Sequence, residues 1–276
     1  MANKFLLIKT GADEKTAIVK IDHDGELRAE EFNLDLILVE TNWGQETAKI
    51  MKIMDKAPKQ GESSEVKFLN FFKTNDQDLK SYLINAKKKE KEALNIFKDS
   101  ISKNDLGKSG MKPIKTNLPY DQKKLIFYYT APDRVDFRGL LRDLIGQFPY
   151  IIRLQQISPR QAASIIGGVG VCGQEVCCHR FLYDLPKVNK EILYEQDLAD
   201  TNKEKFKGPC GRLRCCLIFE QKNYQDAAKN LPKIGEKVMI KNEVGTVLSK
   251  NILKQEFLVE FKNGNRGTYP LAEIKK

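Results

Sequence analysis

Leu125-Ile126-Phe127-Tyr128-Tyr129 is an unbroken apolar and aromatic run, and together with the next 35 residues or so it decides the fold. Such a run predicts a buried strand. Pro132-Asp133 then turns the chain. A helix is predicted to open near Asp136, an N-cap residue type. Its apolar face is Phe137, Leu140, Leu141, Leu144, Ile145 and Phe148, spaced by three and four residues. Residues 151–157 read as the next strand. Ser158 caps a second helix, with Pro159 at its first position and Gln161 completing a capping box. The order β-α-β-α predicts an α+β sheet domain with helices on one face.

Upstream, residues 104–119 contain Gly107, Gly110 and two prolines and read as a linker or long loop. From Ser63 the period is helical, with Leu79, Leu83, Ala86, Leu94, Phe97 and Ile101 on one face and Glu90 interrupting it. Thr74 and Gln77 resemble a capping box. The opposite face carries Lys87, Lys88, Lys89 and Lys91, a pattern that solvation alone accounts for. Residues 1–60 read as a β-rich unit, with strands at 5–9, 16–21 and 34–39 and a turn at His23-Asp24-Gly25. Past residue 232, strands at 238–240, 246–248 and 257–261 and a tight turn at Asn263-Gly264 give the look of a small SH3-like β-barrel. The domain reading is therefore residues 1–60, an α+β core at 61–231, and the barrel at 232–276.

The chemistry concentrates in the core. All 6 cysteines of the chain lie between Cys172 and Cys216. They form two copies of C-G-x-x-x-C-C: Cys172, Cys177 and Cys178 in the first, Cys210, Cys215 and Cys216 in the second, which starts 38 residues later. Two loops of three thiols each suit soft-metal or cluster chemistry. Four thiolates would complete a tetrahedral zinc site, although the spacing is not that of two closely spaced ligand pairs and six exceeds four. An iron–sulfur cluster takes thiolates too, some of them from another chain. A thiol redox protein is the third reading, without the Cys-x-x-Cys pair. Adjacent side chains diverge in extended chain, so one of each vicinal pair is free to face a core instead. His179 follows Cys178 and is either a polar neighbour or an additional donor. Arg212, Arg214, Glu220 and Tyr224 surround the second loop as candidate partner-binding or salt-bridging residues. Gly168-Val169-Gly170-Val171-Cys172-Gly173 matches G-x-G-x-x-G, but it follows a helix and runs into cysteines, unlike a dinucleotide fingerprint.

Composition bounds the rest. The net charge of +10 over 276 residues favours acidic partners, RNA among them. Phe5-Leu6-Leu7-Ile8 is too short for a signal peptide and no run reaches transmembrane length, which predicts a cytoplasmic protein without membrane insertion. In a reducing compartment clustered cysteines stay thiols rather than disulfides. No P-loop, G-x-S-x-G or carboxylate–histidine metal motif occurs.

The runs Lys124 to Thr130, Arg134 to Arg138, Gly167 to Cys178 and Cys210 to Glu220, with Tyr224 following, resemble the bacterial polymerase-suppressor (PSP) C-terminal-domain family, and within it the RicT (YaaT) regulators. The resemblance spans nearly the whole chain. It implies a non-enzymatic cytosolic regulator that assembles with two small helical partners of the RicA and RicF kind. It further implies a shared four-iron–four-sulfur cluster, with zinc as the alternative metal, and direction of ribonuclease Y in messenger-RNA processing and turnover, with effects on programmes such as sporulation. The six cysteines match the family motif one by one. Gln174 departs from it, standing where a basic residue usually follows Cys-Gly.

Overall fold

Alternating apolar residues build the first sheet. The computed structural model describes residues 4–11, 16–21, 32–54, 66–73, 76–182, 187–198, 202–240 and 243–274. In it β1 (Lys4–Thr10), β2 (Thr16–Ile21), β3 (Phe32–Thr41), β4 (Gly44–Met54) and β5 (Lys67–Lys73) pair in the antiparallel order β2-β1-β4-β3-β5. Leu6 and Ile8 lie opposite Val19 and Ala17, and with Ile21, Ile37, Val39 and Ala48 they form one core. Period-two burial is what a sheet with one covered face requires. The predicted turn at residues 23–25 lies outside the described residues. Residues 67–73, inside the stretch whose period predicts a helix, form a strand instead. Phe68 and Phe71 fit either period over so short a window. Pairing with β3, Val39 opposite Phe68 and Ile37 opposite Phe71, decides it.

The helix itself, α1 (Gln77–Lys103), starts where Asp76 accepts the Leu79 N–H at 2.9 Å. Asp76 is therefore the cap, and Thr74 lies outside the described residues. Glu90 does not break the buried face. Its Oε1 accepts the Leu118 N–H at 2.8 Å and its main-chain oxygen accepts the Thr116 hydroxyl at 2.6 Å. Those bonds tie α1 to β6 (Lys112–Asn117), a strand in the region that reads as a linker. β6 is an edge strand, where Pro113 is tolerated because an N–H can be spared there.

β7 (Lys124–Thr130) is the middle of the β6-β7-β8 sheet, antiparallel to β6 and parallel to β8 (Ile151–Gln156). Between β7 and β8 runs α2 (Arg138–Ile145), and after β8 comes α3 (Pro159–Ile166). Phe137 occupies the cap position of α2, while Asp136 accepts the Arg138 N–H at 3.1 Å, one residue from the predicted geometry. The Ser158–Gln161 capping box is present in both directions, at 3.3 and 2.9 Å. Leu125, Phe127 and Tyr129 pack with Phe97 of α1 and Leu140 and Leu144 of α2. Ile126 and Tyr128, on the other face, pack with Ile157, Ala162 of α3 and Trp43. The helices thus cover both faces, not one, because a strand buried on both sides needs both covered.

This part of the chain, with the short helix α4 (Cys177–Arg180), belongs to one unit of residues 1–185. The second unit is residues 186–276. In it, Ile192 and Leu193 of α5 (Glu191–Glu195) pack with Leu217 of α6 (Cys216–Ala228). β9 (Lys237–Ile240), β10 (Glu243–Asn251), β11 (Glu256–Phe261) and β12 (Arg266–Pro270) come after it as an antiparallel meander, each strand paired with its sequence neighbour. Phe257, Val259 and Phe261 of β11 face its core, and the reverse turn after β11 uses Gly264 at φ 81°. The protein is mixed α+β, with three sheets among the described residues. No helix among the described residues is long and apolar enough to cross a membrane.

Candidate functional site

The two cysteine motifs fold into the same hairpin. In the first, Gly170 N–H donates to the Gln174 carbonyl at 2.8 Å, Gly173 N–H to Gly170 at 3.0 Å and Val176 N–H to Gly168 at 3.0 Å. In the second, Gly208 N–H donates to Arg212 at 2.8 Å, Gly211 N–H to Gly208 at 2.9 Å and Arg214 N–H to Phe206 at 2.9 Å. Every donor and acceptor is displaced by the same 38 residues that separate the motifs. A β-bridge closes each: Val169 with Glu175, and Lys207 with Leu213. The glycine after the first cysteine takes φ 78° in Gly173 and 71° in Gly211, a left-handed turn that side chains with a Cβ enter only with strain. In both, the leading thiol folds back over a glycine. The Cβ direction of Gly170 ends 3.5 Å from Cys172 Sγ, and that of Gly208 3.8 Å from Cys210 Sγ. The repeat is therefore longer than C-G-x-x-x-C-C. It is G-x-C-G-x-x-x-C-C, and aligning the copies on their cysteines exposes the extra glycines Gly170 and Gly208, which the shorter motif leaves out. The glycines of the G-x-G-x-x-G match serve this hairpin and not a strand-to-helix phosphate loop.

Where the hairpins lead into helices they diverge. Cys172 is exposed, Cys177 half-buried and Cys178 buried. Ser164 of α3 donates its hydroxyl to the Cys178 carbonyl at 2.5 Å. His179 Nδ1 lies 2.7 Å from the Ser164 carbonyl, which can only accept, so the proton sits on Nδ1. Nε2 is left 3.6 Å from Glu175 Oε1. α4 is thus pinned to α3 at two points, with Cys178 sealed beneath. In the second hairpin Cys210 and Cys215 are half-buried and Cys216 is exposed. The buried residue there is Leu217, which occupies the position of His179 and docks on Ile192 and Leu193. Burial has moved along the helix by one residue, which rotates the third thiol outward.

No disulfide joins any of the six cysteines. Thiols suit a soft metal, but among the described residues no three His, Cys, Asp or Glu side chains are gathered closely enough to hold one. Among the described residues, neither hairpin by itself brings three such donors together. Of the candidate partner-binding residues, Arg212 is exposed at the tip of the second hairpin and Glu220 is exposed on α6. Arg214 is half-buried, its guanidinium 5.7 Å from the Phe206 ring centre and bonded to the Lys205 carbonyl. It stands where the first hairpin has the buried Val176, so it holds the second hairpin to the 3-10 turn at Lys203–Phe206. Tyr224 packs against the C-terminal core, and burial raises its hydroxyl pKa. The first hairpin is ringed by exposed apolar side chains: Ile166, Val169, Val171 and Phe181. Phe219 and Tyr194 are the exposed ones of the second unit nearest its motif in sequence.

Residues 71–157 match the PSP1 C-terminal conserved region, and residues 187–231 match the third domain of PSP1-like proteins. Two separate stretches of the chain thus resemble PSP1-type proteins. The first match runs from β5 through β8 and the second contains the second hairpin; the first hairpin lies between them. The stage 0 sporulation protein YaaT of Bacillus subtilis (strain 168) is 38% identical over 153 residues, which cover 55% of this chain and 55% of the relative. The aligned region spans about half the length of that curated relative. No solved structure matches significantly.

Proposed function

We propose that this chain is a PSP1-type cytoplasmic regulatory adaptor, not an enzyme, and that its two hairpins offer cysteine donors to a metal centre completed by other protein chains. The observation that carries the reading is the repeated hydrogen-bond pattern. The same thiol-presenting backbone is built twice, once in each unit. The exposed apolar residues around the first hairpin support a partner there, since such side chains gain most when covered. Cys172, Cys177, Cys210 and Cys215 sit at matched positions and would hold the group, with Cys216 as a further donor. A four-iron–four-sulfur cluster would supply an assembly that responds to iron and redox state.

The partners under this reading are small helical proteins of the RicA and RicF kind, and the output is direction of ribonuclease Y in messenger-RNA processing. The name of the sporulation relative supports a regulatory role. The accompanying fold reading is a β-α-β-α core carrying the first hairpin and an SH3-like barrel at 232–276. Anaerobic co-expression with the two helical partners, co-purification, and iron and acid-labile sulfide analysis test the function. Co-elution with iron and sulfide in near-equal amounts is expected. One zinc per isolated chain would favour the self-contained zinc protein instead, and catalytic disulfide exchange without metal would favour the redox reading.

A further inference from the structure

α1 is 27 residues long and buries Leu79, Ala86, Ala93, Phe97 and Ile101 along one side. Away from that side, Lys80, Lys87, Lys91 and Lys98 succeed one another at intervals of seven, four and seven residues. At 3.6 residues per turn those intervals return to one stripe, with Lys88 about a quarter of a turn round the helix from it. All five side chains are exposed. At about 1.5 Å per residue the stripe is about 27 Å long. Among the described residues none of the five joins an ion pair; the ion pair made by α1 is Lys103 with Asp143. Glu90 feels the charge of Lys87, but its carboxylate is turned inward onto the Leu118 N–H. Glu92 and Asp99 lie about a quarter to a third of a turn away round the helix. Lys87 and Lys91 are a like-charged i,i+4 pair, an arrangement that works against a helix unless something neutralises it.

We propose that this stripe is a docking surface for the phosphate backbone of single-stranded RNA, separate from the thiol hairpins. Three features select that partner. A membrane-surface helix needs an apolar face beside its lysines, and here that face is consumed by the core, with Ile84 alone exposed within the stripe. An acidic protein partner is gripped by aromatic and arginine anchors, and the stripe has neither. A straight row of compact ammonium groups instead matches a flexible linear polyanion, which gains by releasing counterions at each contact. A duplex backbone curves away from a straight row and would meet only part of it.

The test uses the full chain and a fluorescent uridine 20-mer, with affinity followed by anisotropy from 50 to 200 mM KCl. Four phosphate contacts at about 0.7 each predict a log–log slope near −3, or about a 50-fold loss over that range. Replacing Lys80, Lys87, Lys91 and Lys98 with Glu should weaken binding by at least tenfold and flatten the slope. The same four changed to Gln, which keep helix propensity, should do so with the fold demonstrably intact by circular dichroism. The control changes Lys233, Lys237, Lys254 and Lys262 to Glu, the same net charge change at exposed positions of the second unit, and should leave the slope near −3. Equal losses in stripe and control variants would overturn the proposal, as would unchanged binding in the Gln variant. So would equally tight binding of a duplex, or of poly-glutamate with the same salt slope.

Discussion

Replacing Cys178 by serine should destabilise the first unit, whereas the same change at Cys216, its counterpart 38 residues on, should not. Cys178 is 6% exposed and its carbonyl is tied to Ser164. Serine removes a soft, weakly polar sulfur and puts a hydroxyl in its place. A buried hydroxyl that is poorly bonded costs about 1–3 kcal/mol. Cys216 is exposed, so its replacement should change stability by about 0.5 kcal/mol or less. Trp43, the single tryptophan, packs against Ile126, Tyr128, Ile157 and Ala162, so its fluorescence reports the unit that contains Cys178. With a urea dependence of about 1–3 kcal/mol per molar, the Cys178→Ser midpoint should fall by roughly 1 M. Circular dichroism follows the second unit for Cys216→Ser. Both melts are run with chelator and reductant, so that lost metal ligation cannot contribute. Equal shifts for the two variants, or a larger one for Cys216→Ser, would refute the assignment of Cys178 to the core.

Gly173→Ala and Gly211→Ala should each cost about 1–2 kcal/mol, since both sit at positive φ and an added Cβ meets nothing within 4 Å, leaving backbone strain as the whole effect; urea melts giving a large difference between them would deny that the hairpins are equivalent. Burial raises the pKa of Glu90 above the ordinary carboxylate range, so the folded state holds that proton more tightly. Its contribution is greatest below the unfolded pKa and is lost as pH rises through the folded one. Glu90→Gln keeps an acceptor for Leu118 and should flatten this decline between acid and neutral pH, read by urea melts at each pH; Glu90→Ala should cost about 1.5–3 kcal/mol at neutral pH. Asp76→Ala removes the cap of α1 and should cost about 1 kcal/mol, with no effect on the thiols toward a disulfide reagent.

The central strand and the two helices after it are legible in the sequence because each signal there is local. An apolar run, a three-four period and a capping box need no partner to be recognised. The elements that are not legible depend on pairing. β5 and β6 carry ambiguous or proline-containing sequence, and only their neighbours β3 and β7 hold them extended. The side of the sheet on which α3 lies is equally invisible, because nothing in Pro159–Ile166 records which face of β7 it meets. Glu90 reads as a fault in an apolar stripe because its use, an acceptor for Leu118, lies 28 residues away. At the hairpins the cysteines are evident from sequence, while the equivalence of their backbones is not. It rests on glycine conformations and carbonyl partners that spacing alone does not encode.

That equivalence also separates the thiols, which the motif alone cannot do. Cys172 and Cys210 share one backbone environment, at the turn over a glycine, and Cys177 and Cys215 share another, at the entry to a helix. Cys178 and Cys216 share a motif position but not a surrounding, since Ser164 and His179 close over the first while Leu217 takes the buried place beside the second. A duplicated ligand pair requires matched donors, and only the first two positions are matched. On the proposed function, serine at Cys172 should therefore behave like serine at Cys210, and serine at Cys177 like serine at Cys215, in metal content and partner co-elution. The third position should split: Cys178→Ser lowers stability first, and Cys216→Ser alters metal or partner binding with stability intact. Six single variants measured for iron, co-elution and melting decide it. A pattern in which both third-position variants lose metal equally, with neither losing stability, would mean that the buried sulfur is a ligand after all and that the pinning of α4 to α3 gives way when the partner binds.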